Sequence, residues 1–134
     1  MSNKEQRLIL KLIQDTQEGK LEWKESSIEP SSLSGTERLI NSPYLVKVND
    51  KNMRIYKYDY RDYTDYDEYV LNQAFKLEFA NHNWTKSLYS FPNYTQLEDL
   101  YSEVQRQVTG VEGFLDEYLD GFETPKEEED DLLL

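Results

Sequence analysis

The residues most able to do chemistry are concentrated in one run of tyrosines and carboxylates between Tyr58 and Tyr69. Its carboxylates supply the kind of oxygen atom that binds Ca²⁺ or Mg²⁺; they are Asp59, Asp62, Asp65, Asp67 and Glu68. A calcium loop, however, requires a glycine at its sharp turn and a glutamate at its twelfth position, and neither fits here. A strand end and a connecting loop with solvated carboxylates explain the run more simply.

The same run is also a candidate binding surface, because tyrosine offers a large contact area at low entropy cost and is enriched at interfaces. The candidates for partner contact in this run are Tyr58, Tyr60, Asp62, Tyr63, Asp65 and Tyr66. An alternative function for the segment 56–69 is the sensing of a small ligand or a metal ion.

Signatures of established catalytic chemistry are missing from the sequence. There is no cysteine, none of the five glycines precedes a Lys-Ser or Lys-Thr pair, and no G-x-S-x-G sequence occurs. The single histidine, His82, lies between two asparagines in a predicted turn, where an exposed side chain is expected. We therefore predict no enzyme activity, no catalytic residues, no metal site and no cofactor.

Charge is distributed unevenly along the 134 residues, which carry 27 acidic and 15 basic side chains. Residues 98–131 hold 13 acidic and 2 basic side chains, a net charge of −11, whereas residues 1–97 have a net charge of −1. The carboxylates predicted to face water and to bind a partner are Glu98, Asp99, Glu103, Glu112, Asp116, Glu117 and Asp120. Such a surface repels phosphate, attracts a basic groove, and in its simplest role only keeps the protein in solution.

The hydrophobic pattern predicts a helix, about five strands and a second helix. The first helix covers residues 4–18, with Leu8, Ile9, Leu12 and Ile13 on one stripe and Gly19 at its end. The predicted strands are 21–25, 44–48, 53–60, 69–79 and 84–91, with a loop over 26–37 and a tight hairpin at 49–52.

The second helix is predicted to start at a capping box formed by Thr95 and Glu98 and to end before Pro125. Its apolar positions run from Leu97 to Phe122 along one side of the helix. Gly110 and Gly113 interrupt them, and a kink or break is expected there.

The absence of β-α-β alternation predicts an α+β protein: an antiparallel β-meander of four to five strands with N- and C-terminal helices packed on one face. Residues 1–125 are predicted to form a single domain and residues 126–134 an acidic disordered tail. The predicted core contains Trp23, Phe75, Leu77, Phe79, Leu100, Val104 and Val108. No signal peptide or membrane span is recognised, so a cytoplasmic protein is expected.

Several framework segments resemble a group of small uncharacterised bacterial helix–β-meander–helix proteins. The matching segments are 18–23, 54–58, 97–101 and positions Val104, 106–108, 110–111 and 114–116. The resemblance implies the helix–meander–helix fold and carries no activity to particular residues. The tyrosine-rich run and the acidic tail lie outside it.

From the charge pattern we predict a non-enzymatic protein that binds and blocks a basic macromolecular partner, such as a nucleic-acid-binding protein or a nuclease. One form is a nucleic-acid-mimicking inhibitor of a bacterial defence system, of the anti-CRISPR or anti-restriction type found on mobile genetic elements. Another is a toxin-neutralising immunity protein. Direct contact with nucleic acid or with a membrane is not expected.

Overall fold

The computed structural model describes residues 3–33 and 35–123. Within these ranges the chain forms three helices and five strands. In chain order they are α1 (Lys4–Gln17), β1 (Lys24–Glu25), β2 (Glu37–Val48), β3 (Lys51–Tyr63), β4 (Tyr69–Ala80), β5 (Ser87–Ser90), α2 (Gln96–Thr109) and α3 (Val111–Tyr118). The predicted acidic tail, residues 126–134, lies outside the described residues.

The five strands form one sheet in the order β1-β2-β3-β4-β5, and every neighbouring pair is antiparallel. This is the predicted meander, and the α+β class is confirmed. The predicted hairpin is confirmed as well: Val48 pairs with Lys51 across a two-residue loop. Asn49 and Asp50 have φ angles of 48° and 65°, the geometry that matches the twist of the flanking strands.

Strand β2 begins at Glu37, whereas its start was predicted seven residues later, at Tyr44. The predicted start was therefore wrong. The register shifts between Ile40 and Tyr44, and Asn41 has a φ of 62°. This irregularity accommodates Pro43, which has no amide hydrogen to donate to the neighbouring strand. It also interrupts the alternation of apolar and polar residues from which a strand is predicted.

The last strand is shorter than predicted, because Trp84 lies in a turn with a φ of 65°. The Asn81 carboxamide oxygen accepts hydrogen bonds from the backbone amides of Thr85 and Lys86. These bonds extend the turn, so the strand begins only at Ser87. His82 is exposed in this turn, as expected.

Helices α1 and α2 pack side by side on one face of the sheet and enclose the main core. Four predicted core residues, Trp23, Leu77, Leu100 and Val104, are buried. The other three, Phe75, Phe79 and Val108, are partly buried and pack against them. The core prediction is therefore confirmed, with Phe75, Phe79 and Val108 at the edge of the core.

The helix ends follow the sequence only in part. Gly19, with a φ of 76°, ends α1 as predicted: its amide bonds to the Thr16 carbonyl and the Lys20 amide bonds to that of Asp15. The predicted capping box was wrong, since Thr95 has helical backbone angles and its side chain caps nothing. The predicted break is at Gly110, which takes a left-handed conformation between α2 and α3.

Candidate functional site

The seven carboxylates predicted on the C-terminal helices lie on α2, on α3 and on the turn that follows. We call this set the acidic surface; its members are Glu98, Asp99, Glu103, Glu112, Asp116, Glu117 and Asp120. All are exposed except Glu103, which is partly buried. On α2 this exposure follows from helical spacing, because Leu97, Leu100 and Val104 occupy the side that packs on the sheet.

The acidic surface is almost uncompensated. Arg106, near the end of α2, forms an ion pair with Glu112 across the Gly110 break. Among the described residues this is the one ion pair that any of the seven carboxylates makes. Within the part of the chain that the structure describes, the other six carboxylates have no paired cation.

Helix α3 departs from the predicted fold, because none of its residues is buried. Its apolar positions were expected to continue the stripe that packs on the core, and that expectation was wrong for this helix. The backbone at Gly110 has φ 72° and ψ 29°, which ends α2 and redirects the chain. As a result the main contacts of α3 are with α2 and not with the sheet.

The second predicted site lies on the hairpin of β3 and β4. The first residue of β2, Glu37, pairs with Tyr60, so residues 61–63 of β3 pair with β4 alone. We call residues 61–71 the hairpin tip. Four predicted partner-binding residues are exposed in it: Asp62, Tyr63, Asp65 and Tyr66. The side chain of Tyr66 is 91% exposed.

The other two tyrosines of this prediction, Tyr58 and Tyr60, are less accessible. They follow Tyr56 along the face of the sheet opposite the helices, with successive ring centroids 6.2 and 6.0 Å apart. Tyr58 is only 8% exposed and has the Lys76 ammonium 5.1 Å from its ring centroid, while Tyr60 is partly buried. We call the face of the sheet opposite the helices the second face. Tyr58 is therefore a buried residue of this second face and not part of an open surface.

The carboxylates of the hairpin do not converge. Strand alternation places Asp59 and Asp62 on opposite faces; Asp59 pairs with Arg38 at 3.1 Å and Asp62 accepts a hydrogen bond from Asn72 at 3.1 Å. No group of three or more histidine, aspartate or glutamate side chains suited to a metal ion occurs in the part of the chain that the structure describes. No observation therefore favours the metal-sensing alternative.

A buried polar cluster on the second face was missed by the sequence analysis. Arg54 and Glu78, both 0% exposed, stand opposite each other on β3 and β4, with the guanidinium Nε 3.0 Å from Glu78 Oε1. Four hydroxyl groups also donate to this carboxylate: Ser87 to Oε1 at 2.8 Å, Ser90 to Oε2 at 2.8 Å, Tyr56 to Oε2 at 2.9 Å, and Ser32 to Oε2.

This polar cluster keeps Glu78 ionised. Burial alone raises the pKa of a carboxyl group, but the hydrogen bonds from Ser32, Ser90, Ser87 and Tyr56 outweigh burial and hold the pKa of Glu78 below its usual range. Burial raises the pKa of the Tyr56 hydroxyl, which therefore stays protonated and donates. Because both carboxylate oxygens accept hydrogen bonds, the cluster links the loop at Ser32 and strand β5 to Glu78 on strand β4.

One sequence signal does mark this cluster. Arg54 is a charge inside the run Met53-Arg54-Ile55-Tyr56, and Glu78 lies between Leu77 and Phe79. When two paired strands each carry a charged residue in their apolar middle, and the two charges are opposite, a buried ion pair is predicted once the register is known. The register, however, follows only from the complete hairpin.

No helix in the described residues is both long enough and apolar enough to cross a membrane. The chain matches no protein-family model, no curated protein and no solved structure, so the resemblance to bacterial helix–meander–helix proteins stays a prediction.

Proposed function

We propose that this is a non-enzymatic interaction protein that binds a basic macromolecular partner through its acidic surface and blocks it. The observation that carries the proposal is the concentration of exposed carboxylates on α2 and α3; within residues 3–33 and 35–123, Glu112 alone of this set is paired with a cation. Charges held on two helices of a folded domain have a defined geometry, which a partner with a basic groove can match.

The preferred partner class is a protein that binds nucleic acid, such as a nuclease. A basic groove that neutralises phosphates is complementary to a row of carboxylates, and long-range attraction speeds the encounter. The carboxylates and the nucleic acid need the same cations, so binding of one excludes the other. Blocking then requires no chemistry by the protein itself.

Two biological forms fit this mechanism. One is a nucleic-acid-mimicking inhibitor of a bacterial nuclease or defence system, of the anti-CRISPR or anti-restriction type, carried by a mobile genetic element. The other is an immunity protein that neutralises a nuclease toxin. The predicted cytoplasmic location belongs to the same proposal.

The non-enzymatic part of the proposal is supported by the state of the buried polar cluster. Glu78 has all its strong acceptor positions occupied by Arg54 and four hydroxyl groups, so it has no free lone pair with which to accept a substrate proton. His82 is exposed in the turn between β4 and β5 and makes no contact with Glu78 among the hydrogen bonds of this cluster.

The test is affinity capture from a bacterial extract with two matched variants. The four-charge variant changes four acidic-surface residues away from the start of α2 and outside the ion pair: Glu103→Gln, Asp116→Asn, Glu117→Gln and Asp120→Asn. The control variant changes four exposed carboxylates outside both candidate sites: Glu22→Gln, Glu25→Gln, Glu29→Gln and Asp50→Asn. Each variant loses four negative charges.

The proposal predicts that the wild type and the control variant capture the same basic protein, and that the four-charge variant captures much less of it. A duplex DNA oligonucleotide added in excess should release the captured protein. Equal capture by both variants, capture that DNA does not disturb, or no captured basic protein would each contradict the proposal.

A further inference from the structure

Helix α3 and the turn that follows it carry a row of large apolar side chains that nothing in the described part of the chain covers. We call this row the apolar stripe; it consists of Phe114, Leu115, Tyr118, Leu119 and Phe122. The exposed fractions of these residues range from 39% to 77%. The rings of Phe114 and Tyr118 stack on each other with centroids 5.7 Å apart, so these two side chains form one continuous surface.

The carboxylates of α3 lie on the opposite side of the same helix. At 100° per residue, positions 114, 115 and 118 of α3 occupy one arc, and positions 112, 116 and 117 occupy the other. An amphipathic helix normally buries its apolar arc against its own domain, but α3 has no buried residue. An apolar patch of this kind, rimmed by polar residues, marks an interaction site.

The charge on α3 restricts what can cover the stripe. A second copy would bring two sets of Glu112, Asp116, Glu117 and Asp120 together, and an anionic membrane surface would repel the same four groups. A protein groove with an apolar floor and basic residues along its rim satisfies both arcs of the helix at once.

We infer that α3 binds as a helix in an apolar, basic-rimmed groove of the partner, with Phe114 and Tyr118 as its anchors. This inference rests on the proposed function and adds the mode of binding to it. The acidic surface controls how fast the partner arrives, and the apolar stripe controls how long it stays. Rim charges act mainly on association, whereas buried aromatic anchors act mainly on dissociation.

The test compares a double variant of the stripe, Phe114→Ala with Tyr118→Ala, against a matched control variant, Leu10→Ala with Leu88→Ala. Leu10 and Leu88 are 55% and 62% exposed and lie on α1 and β5. Because all four replaced side chains are exposed, both double variants should keep the melting temperature of the wild type. The probe is the purified basic protein captured in the experiment above.

The inference predicts that the stripe variant dissociates from this protein at least ~30-fold faster than the wild type, as expected for loss of a central aromatic anchor. The control variant should dissociate within about threefold of the wild type. Amide hydrogen exchange of residues 111–119 should slow when the captured protein is added. Unchanged dissociation of the stripe variant, or unchanged exchange in α3, would overturn the inference.

The outcomes separate this inference from the proposed function. If the four-charge variant loses association while the stripe variant behaves like the wild type, the acidic surface binds and the stripe does not. If no basic protein is captured at all, both fail.

Two further measurements identify other occupants of the stripe. A dimer detected by light scattering and lost in the stripe variant would assign the stripe to a second copy. Sedimentation with phosphatidylcholine–phosphatidylglycerol vesicles, if lost in the same variant, would assign it to a membrane. Either result would overturn the inference.

Discussion

Replacing Glu78 with glutamine keeps the size of the side chain but removes the negative charge opposite Arg54. Both residues are fully buried, so the guanidinium group would remain in the protein interior without a counter-ion. The amide nitrogen that replaces one oxygen has no lone pair to accept the hydroxyl groups that now donate to Glu78. The substitution therefore breaks the charge pair and disrupts the hydrogen bonds around it.

The expected cost is about 3–5 kcal/mol of unfolding free energy, the usual penalty for leaving one partner of a buried ion pair uncompensated. This is a large part of the roughly 5–15 kcal/mol that stabilises an ordinary domain. Much of the loss should come from release of the loop at Ser32 and of strand β5, since Ser32, Ser87 and Ser90 all bond to this carboxylate.

A matched control is Arg38→Gln, which breaks another ion pair between neighbouring strands. Arg38 lies 3.1 Å from Asp59, but its side chain is 74% exposed, so the loss should not exceed about 1 kcal/mol. Urea unfolding followed by tryptophan fluorescence gives both free energies. A loss for Glu78→Gln no larger than that for Arg38→Gln would refute the structural role of the buried polar cluster.

Three further predictions follow from the described residues. Because the folded-state pKa of Glu78 lies below its usual range, its contribution to stability is complete above the ordinary glutamate pKa of about 4.3 and is lost as the pH falls through the lowered value. Acid titrations of stability should therefore show a weaker loss below pH ~4 in Glu78→Gln than in the wild type, and parallel curves would contradict this. Leu77→Ala should cost about 2–5 kcal/mol in urea unfolding, because Leu77 is 0% exposed; retention of full stability would argue against the observed core. His82→Ala should change stability by no more than about 0.5 kcal/mol, because His82 is exposed in a turn. It should also leave partner capture intact, because His82 lies outside the acidic surface, and loss of capture would show that it contacts the partner.

The fold was largely predictable because its main signals are local. Consecutive strands pair with each other, so alternation along each strand and the turn formers at Asn49 and Asp50 already indicate the meander. The apolar spacing of α1 and α2 likewise indicates which side of each helix packs on the sheet. The start of β2 was missed because Asn41 and Pro43 interrupt its alternation at a bulge.

The candidate site was only partly predictable. Charge counting located the acidic surface, since solvated carboxylates need no partner in the fold. Periodicity could not show that α3 leaves the core, because an amphipathic pattern is the same whether its apolar side meets the sheet or a partner. The pairing of Arg54 with Glu78 depends on the register of β3 and β4, which no single segment contains.

The central claim, that the acidic surface recognises a basic partner, is tested most directly by the association rate of the captured protein at two salt concentrations. Surface plasmon resonance would compare the wild type, the four-charge variant and the control variant at 50 and 200 mM salt. The account predicts fast, strongly salt-dependent association for the wild type and the control variant, and slower, less salt-dependent association for the four-charge variant. An association rate that is indifferent to both salt and the four substitutions would contradict it.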